Sequence, residues 1–151
     1  MELTPEAILA GLDINRSIDI KATAAKVWAA LTEPELMMEW FGDLVEFDPS
    51  PGATGAFGWT AEKIGPVRVV VEQVDAPKTL VYRWARESGV DPTPENSTLV
   101  RFDLVEIDGG TRVLVHETGF EALSDPRGAQ RENTDGWRRE LGELADFLES
   151  R

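Results

Sequence analysis

The fold is indicated most clearly by residues 133–148, NTDGWRRELGELADFL. Trp137, Leu141, Leu144 and Leu148 recur at the spacing of one helix face, so they predict a long amphipathic helix with a single apolar stripe. A single long helix set against a curved antiparallel sheet typically encloses a cavity. The sequence therefore favours a container for an apolar molecule over a catalyst.

The segments near the N-terminus predict one strand and two short helices. Residues 14–20 alternate in hydrophobicity, which indicates the strand. Thr23 is a suitable N-cap for the first helix. Residues 32–35, TEPE, form a capping-box pattern that starts the second helix, and Gly42 ends it.

The middle of the chain, residues 43–119, has a strand pattern broken by Pro and Gly clusters. The tripeptide 108–110, DGG, predicts a tight hairpin, and residues 87–96 form the longest, polar loop. Asp125, followed by Pro, is the predicted N-cap of the terminal helical region. The predicted strands span residues 43–48, 54–61, 66–74, 79–86, 97–107 and 111–119.

Alternation assigns one apolar face to most of these strands. In the last strand, periodicity alone does not decide whether the set containing Glu117 or the set containing His116 points inward. The other strands have clear apolar sets: Phe57 and Trp59; Val67, Val69 and Val71; Leu80, Tyr82 and Trp84; Val100, Phe102 and Leu104. The whole pattern predicts an α+β fold with seven strands and a long C-terminal helix.

The length of 151 residues is that of a single domain, 1–151, with enough chain to bury a core. Within it, residues 1–13 are predicted to be an N-terminal extension with a short helix at 4–11. The first fifteen residues carry acidic but no basic side chains, unlike a secretory signal. No stretch approaches the ~20 apolar residues that would span a bilayer.

The net charge of −13 argues against binding to nucleic acid or to an anionic membrane surface, since both require a basic face. An acidic surface is explained most simply by solubility. The chain has no cysteine, which excludes disulfides and zinc–thiolate sites and fits a cytoplasmic location. A single histidine excludes a histidine-rich metal centre, so we predict neither a metal nor a cofactor.

Several short motifs in this order resemble one family: AAKVWAALT at 24–32, WFG at 40–42, LVYRW at 80–84, ETGF at 117–120 and GW at 136–137. The chain resembles, over about residues 14–150, the activator-of-Hsp90-ATPase homologue branch of the START/Bet v 1-like superfamily. The resemblance implies a helix-grip fold, in which a curved seven-stranded antiparallel sheet wraps around the C-terminal helix. It also implies a cavity between sheet and helix, and it places Val113, Val115 and Glu117 inward.

The aromatic side chains on the predicted inner face are the main candidates for a binding site, because indole combines a large apolar surface with one donor. The same rings could instead simply fill the core, and Trp28 is expected to do so. The candidate ligand-binding residues are Trp40, Phe57, Trp59, Val69, Val71, Tyr82, Trp84, Phe102, Val115, Glu117 and Trp137.

Glu117 is the sharpest single candidate. An inward carboxylate among valines would be desolvated, so its pKa should rise. It could anchor a polar ligand group or serve as a weak catalytic candidate for acid–base chemistry. The simpler alternative is pairing with an arginine or with the Tyr82 hydroxyl. The anchoring role predicts that Glu117→Gln leaves the fold intact and weakens binding, whereas His116 should face solvent.

Two features of the terminal helix have plain structural interpretations. Gly136 costs up to ~1 kcal/mol relative to alanine within a helix. Close packing of the helix on the sheet is the favoured explanation, and a gap that admits ligand is the alternative. Arg138 and Arg139, with Glu140 and Glu143, are interpreted as a solvated helix face.

We therefore expect non-covalent binding of a small hydrophobic or amphipathic ligand in a cavity between the sheet and the C-terminal helix. A protein-interaction domain with a chaperone partner is the alternative that the resemblance brings, and relatives also allow a homodimer. A cyclase- or hydrolase-like enzyme is the least supported alternative. The glycine-rich segment 52–58 lacks the features of a nucleotide-binding loop, and no serine-hydrolase elbow occurs.

Overall fold

A computed structural model describes residues 11–150 of the protein. The predicted helix at 4–11 lies, apart from Gly11, outside these residues. The predicted order of strand, two helices, six strands and long helix is confirmed. The elements are β1 (Ile14–Ile20), α1 (Ala24–Thr32), α2 (Pro34–Trp40), β2 (Leu44–Glu46), β3 (Thr54–Trp59), β4 (Ile64–Asp75), β5 (Thr79–Ala85), β6 (Ser97–Ile107), β7 (Gly110–Thr118) and α3 (Pro126–Glu149).

The strands form one antiparallel sheet in the order β1-β7-β6-β5-β4-β3-β2. Register shifts interrupt the β3–β4 pairing between Phe57 and Trp59 and the β4–β5 pairing between Val71 and Gln73. Such irregularities increase the local twist and bend of a strand. The sheet curves around α3, as expected for a helix-grip fold.

Helix α3 begins where the sequence predicts, because the Asp125 carboxylate accepts a hydrogen bond from the Gly128 amide at 3.1 Å. Its apolar stripe is buried as predicted, with Trp137, Leu144 and Leu148 in the core. At its C-terminal end, the Glu149 carboxylate accepts a hydrogen bond from the Lys21 amide at 2.9 Å. The helix is thereby tied to the end of β1. Within residues 11–150, no helix has both the length and the apolar character needed to cross a bilayer.

Side-chain alternation buries the predicted apolar sets of the strands, except that Trp59 and Trp84 are only partly buried. The last strand follows the resemblance: Val113, Val115 and Glu117 are buried. Ring contacts fill the centre of the sheet, with Tyr82 lying 5.5 Å from Phe57 and 6.0 Å from Phe102 between centroids. The middle of the helix–sheet interface is therefore a packed aromatic core.

The start of α2 differs from the prediction, and Gly42, which directly follows its C-cap as predicted, has no positive φ. Helix α1 continues through Thr32, whose hydroxyl donates to the Trp28 carbonyl at 2.8 Å, so Thr32 does not cap α2. Glu33 is the N-cap and makes no side-chain capping bond. Helix α2 ends at a Phe41 cap, and Gly42 is needed for another reason: a Cβ there would lie 2.7 Å from the Gly58 carbonyl oxygen.

Candidate functional site

An open cavity of about 350 Å³ lies between the N-terminal half of α3 and one end of the sheet. Aromatic and apolar side chains form most of its wall, and charged side chains stand around them. The lining residues are Phe41, Trp59, Glu62, Ile64, Val67, Trp84, Ala85, Arg86, Thr98, Leu123, Glu132, Asn133, Gly136, Trp137, Arg139 and Glu140.

The antiparallel register explains why these residues meet. Trp59 at the end of β3 pairs with Ile64 at the start of β4. Trp84 near the end of β5 pairs with Thr98 near the start of β6. Consecutive antiparallel strands run in opposite directions, so the last residues of β3 and β5 and the first residues of β4 and β6 lie at the same end of the sheet. We call this the open end of the sheet, and it faces α3 beyond the packed aromatic core.

Indole rings form the walls, and their N–H groups are used within the protein. The Trp84 and Trp137 rings stack with centroids 5.6 Å apart, and Phe41 stacks on both at 6.3 Å. The Trp59 indole donates to the Phe41 carbonyl at 2.5 Å. The Trp84 and Trp137 indoles donate to Glu117 at 3.0 and 2.8 Å. A molecule in the cavity would therefore meet the apolar surface of these rings while their N–H donors stay occupied.

Glu117 lies beneath this wall, with an exposed fraction of 0%. Its Oε2 accepts hydrogen bonds from Thr98 Oγ1 at 2.5 Å, Trp84 Nε1 at 3.0 Å and Asn133 Nδ2 at 2.9 Å. Its Oε1 accepts from Trp137 Nε1 at 2.8 Å. The partners are thus neutral donors rather than the arginine or Tyr82 hydroxyl considered from the sequence. The single carboxylate of Glu117 thereby holds the two stacked indoles in place.

Burial raises the pKa of Glu117, and the hydrogen bonds from Thr98, Trp137, Trp84 and Asn133 act in the opposite direction. The rise matches the direction expected from the sequence. An ionised carboxylate only accepts hydrogen bonds, so this set of donors fits the charged form.

Asn133 connects Glu117 to the rim of the cavity. While its amide nitrogen donates to Glu117, its Oδ1 accepts from Arg86 at 3.5 Å. Arg86 also forms an ion pair with the exposed Glu132. The polar side of the cavity is thus a continuous network from a buried carboxylate to solvent.

Glu140 is the second buried carboxyl group of the site, with an exposed fraction of 6%. Its Oε1 lies 3.6 Å from Arg139 Nε, and among the described residues its Oε2 is a buried side-chain oxygen without a hydrogen-bond partner. Burial, followed by repulsion from Glu143, raises the pKa of Glu140 to about 8, with Arg139 opposing and Glu62 adding to the rise. The interpretation of Glu140 as part of a solvated face was wrong, because it lies on the same helix face as Trp137 and Leu144.

Gly136 lines the cavity, and a Cβ built there would have nothing within 4 Å. Close packing of the helix on the sheet is therefore not the reason for this glycine. The structure instead has a gap beside the helix at this position, in agreement with the alternative interpretation. The missing side chain leaves space open between Trp137 and the rim.

We expect Gly136→Ala to raise the free energy of unfolding by up to ~1 kcal/mol. Alanine favours a helix interior by about this amount, and the new methyl group meets no atom within 4 Å. Urea unfolding followed by far-UV circular dichroism measures the difference. Destabilisation by the alanine would show that the backbone is constrained here in a way that open space does not explain.

The candidate ligand-binding residues separate into two groups. Trp59, Trp84 and Trp137 line the cavity. Glu117 lies behind them and contacts the lining residues rather than the open space. The remaining candidates are buried inside the protein and do not line the cavity: Trp40, Phe57, Val69, Val71, Tyr82, Phe102 and Val115.

His116, Trp28 and the candidate Trp40 do not line the cavity. The His116 side chain is 43% exposed, with Nε2 3.7 Å from an Asp13 carboxylate oxygen, and it faces away from the cavity. Trp28 is partly buried against the core. Trp40 donates its indole N–H to the Ala30 carbonyl at 2.9 Å, which fixes it inside the protein.

The sequence interpretation missed Thr98, Asn133 and Glu140. Helical spacing could have found two of them, because Asn133 and Glu140 lie four residues before and three after Trp137, on its face. Strand parity could have found Thr98, which shares its face with Val100. Their polarity caused them to be omitted, since an apolar stripe was the feature sought.

Comparison with known proteins agrees with this architecture. Residues 21–149 match the family described as activator of Hsp90 ATPase homolog 1-like protein. No curated protein sequence matches the chain significantly.

Solved structures with the same fold include protein MLL2253 from Mesorhizobium loti, at 26% identity and a TM-score of 0.78, covering 91% of this chain and 97% of that one. The Aha1 dimer from Colwellia psychrerythraea has 24% identity and a TM-score of 0.75, with 91% and 96% covered. DynU16, from the dynemicin biosynthetic locus, has 22% identity and a TM-score of 0.73, and the alignment covers 91% of this chain and 47% of DynU16.

The match covers most of the chain, and the helix-grip architecture agrees with it. This protein therefore belongs to the activator of Hsp90 ATPase homolog 1-like family, within the START/Bet v 1-like superfamily.

Proposed function

We propose that this protein binds a small amphipathic molecule in the cavity between α3 and the open end of the sheet. The observation that carries the proposal is the unfilled space of about 350 Å³ beside Gly136, walled by the rings of Trp59, Trp84 and Trp137. Its size lies within the range of small-molecule sites. Burial of apolar ligand surface would supply affinity at about 25 cal/mol per Å².

The polar groups around this space would orient the ligand. Thr98, Asn133 and Glu140 lie on the wall, and Arg86 and Arg139 stand at the rim. A few polar groups among apolar walls are typical of sites that bind amphipathic molecules. The fold supports the proposal at a general level, and one solved structure with this fold, DynU16, comes from the dynemicin biosynthetic locus.

The enzyme alternative has little support in the geometry. It assigned Glu117 the role of base, but that carboxylate accepts four hydrogen bonds and has no exposed surface. A general base must come within hydrogen-bond reach of the proton that it removes. A substrate in the cavity would meet Trp84 and Trp137 before Glu117.

Two-dimensional amide NMR with 4-phenylbutan-1-ol tests the proposal without knowledge of the natural ligand. The chain has five tryptophans, and their indole N–H signals are internal reporters. We expect the signals of Trp59, Trp84 and Trp137 to shift on titration, and those of Trp28 and Trp40 to stay unchanged. Unchanged signals for all five up to the solubility limit of the alcohol would overturn the proposal.

We expect Gly136→Leu to weaken binding of the alcohol at least tenfold, because the leucine side chain would occupy the open space beside Trp137. Gly136→Ala is the matched control, since it adds one methyl group and should change affinity by less than about threefold. Dissociation constants come from the same NMR titrations. Equal binding by the leucine variant and the native protein would place the ligand elsewhere.

A further inference from the structure

Acidic groups outnumber basic groups around the cavity. Three lining residues are acidic, Glu62, Glu132 and Glu140, whereas two are basic, Arg86 and Arg139. Glu117 adds a further carboxylate directly behind the wall. The site therefore carries an excess of acidic groups, in a protein whose overall net charge is also negative.

Both arginines already have acidic partners. Arg86 forms an ion pair with Glu132. Arg139 lies 3.9 Å from Glu62 and 3.6 Å from Glu140. An anionic ligand would have to compete with these carboxylates for the arginines and would meet the remaining acidic groups. The cavity is thus poorly suited to a carboxylate or phosphate.

One carboxyl group of the wall has unused hydrogen-bonding capacity. The Glu140 side chain is 92% buried and lines the cavity, and its Oε2 accepts no hydrogen bond from the described residues. Glu140 lines the cavity although Oε2 itself is buried, so a ligand donor would meet this oxygen when the carboxyl group turns towards the open space. A buried carboxyl group without a donor is costly, and a bound donor would offset that cost.

The aromatic wall favours the same kind of ligand. The stacked rings of Phe41, Trp84 and Trp137, together with Trp59, present aromatic surface to the cavity. Ring faces attract cations, and tryptophan does so most strongly. An ammonium group near Glu140 would therefore meet a carboxyl group and aromatic surface together.

We infer that the cavity selects a protonated amine carried on an apolar body, with the ammonium group against Glu140 and the body against the three indoles. This inference rests on the proposed binding function and specifies its ligand class. The rim carboxylates Glu62 and Glu132 would add attraction at longer range, whereas the arginines would repel the cation less than free arginines because each is paired.

The protonation of Glu140 sets the pH dependence of this selection. With a pKa of about 8, roughly one Glu140 in ten is ionised at pH 7 and most are ionised at pH 9, while an alkylammonium with a pKa near 10 remains largely charged. The groups that influence this ionisation are Glu143 and Arg139 on α3 and Glu62 across the cavity. The buried Tyr82 phenol, whose pKa is raised well above its ordinary value, stays neutral over this range. The apparent affinity for the amine should increase with the ionised fraction of Glu140.

Three probes with the same apolar body test the inference: 4-phenylbutylamine, 4-phenylbutan-1-ol and 4-phenylbutanoate. At pH 8 we expect the amine to bind at least tenfold more tightly than the carboxylate and several-fold more tightly than the alcohol. The amine's dissociation constant should fall five- to tenfold between pH 7 and pH 9. Isothermal titration calorimetry on the intact protein gives all the constants.

Glu140→Gln should bind the amine no more than about twofold more tightly than the alcohol, and its amine affinity should no longer depend on pH between pH 7 and pH 9. Glu106→Gln, at an exposed position near the end of β6, is the control for net charge and should behave like the native protein. If amine and alcohol bind equally and Gly136→Leu abolishes both, the cavity binds ligands and the amine inference is overturned. If none of the three probes binds, both the proposed function and the amine inference are overturned.

Discussion

Replacing Glu117 with glutamine should lower the free energy of unfolding by about 2–4 kcal/mol, although the two side chains have nearly the same shape. Trp84 Nε1 and Trp137 Nε1 donate to different oxygens of the carboxylate. A glutamine can accept at only one of these positions, so its NH₂ group would face an indole N–H in either orientation. In one orientation the Trp137 N–H has no acceptor. In the other, the Thr98 hydroxyl and the Asn133 amide lose their acceptor, and the Trp84 N–H keeps only Thr98 Oγ1. The remaining bonds also lose the charge that strengthens them.

This expectation differs from the one drawn from the sequence, in which Glu117→Gln leaves the fold intact. Chemical denaturation measures the change, and near-UV circular dichroism reports on the packing of the stacked tryptophans. Glu106→Gln makes the same chemical change at an exposed position and should alter stability by less than about 0.5 kcal/mol. A Glu117→Gln variant as stable as this control would mean that the four hydrogen bonds contribute little to the native state.

The protein should lose stability as the pH rises from about 5 to 8, and Glu140→Gln should remove most of that loss. The pKa of Glu140 is near 4.5 in the unfolded chain and about 8 in the native state. Between these values the native state keeps a proton that the unfolded state has released, so the free energy of unfolding decreases as pH rises. Above about pH 8 both states are ionised and the loss is complete.

The expected loss is on the order of 2–4 kcal/mol, since each unit of pKa shift corresponds to about 1.4 kcal/mol and the open cavity admits screening water. Glu117 acts in the same direction, because its pKa is also raised. The aspartates whose pKa is lowered, such as Asp103, affect stability only near and below pH 4.

Urea unfolding at half-unit steps from pH 5 to pH 9 measures this dependence. At pH 8 the Glu140→Gln variant should be more stable than the native protein, because its side chain carries no charge to desolvate. Asp146→Asn, an exposed change on the same helix, is the control and should retain the native slope. A native protein whose stability is constant over this range, or a glutamine variant with an unchanged slope, would contradict the role of Glu140.

The sequence predicted the order of elements because strands and helices have distinct periods. Alternation located the strands, and the spacing of Trp137, Leu141, Leu144 and Leu148 located α3. The capping prediction at Thr32 failed because this residue could either end α1 or cap α2. In the structure α1 continues through Thr32, and its hydroxyl donates a hydrogen bond to the Trp28 carbonyl.

The candidate site was predictable only in part. The tryptophans were sound candidates, since large rings on an inward face must line either a cavity or a core. Which of these applied depended on position along the strand: Trp59 and Trp84 lie at the open end of the sheet, whereas Phe57 and Tyr82 lie one step further into it. Periodicity shows which face of the sheet a side chain is on, but not whether it lies at the open end or in the packed middle of that face.

By itself, therefore, the sequence determined the order of the elements, the inward face of most strands and the apolar stripe of α3, because these follow from local spacing and turn chemistry. Tertiary structure alone decided what the polar residues on those faces do. Four neutral donors from three elements converge on Glu117, whereas no donor from the described residues reaches Glu140 Oε2. Hydrogen bonding and desolvation depend on neighbours distant in sequence, and those neighbours meet only when the sheet closes around the helix.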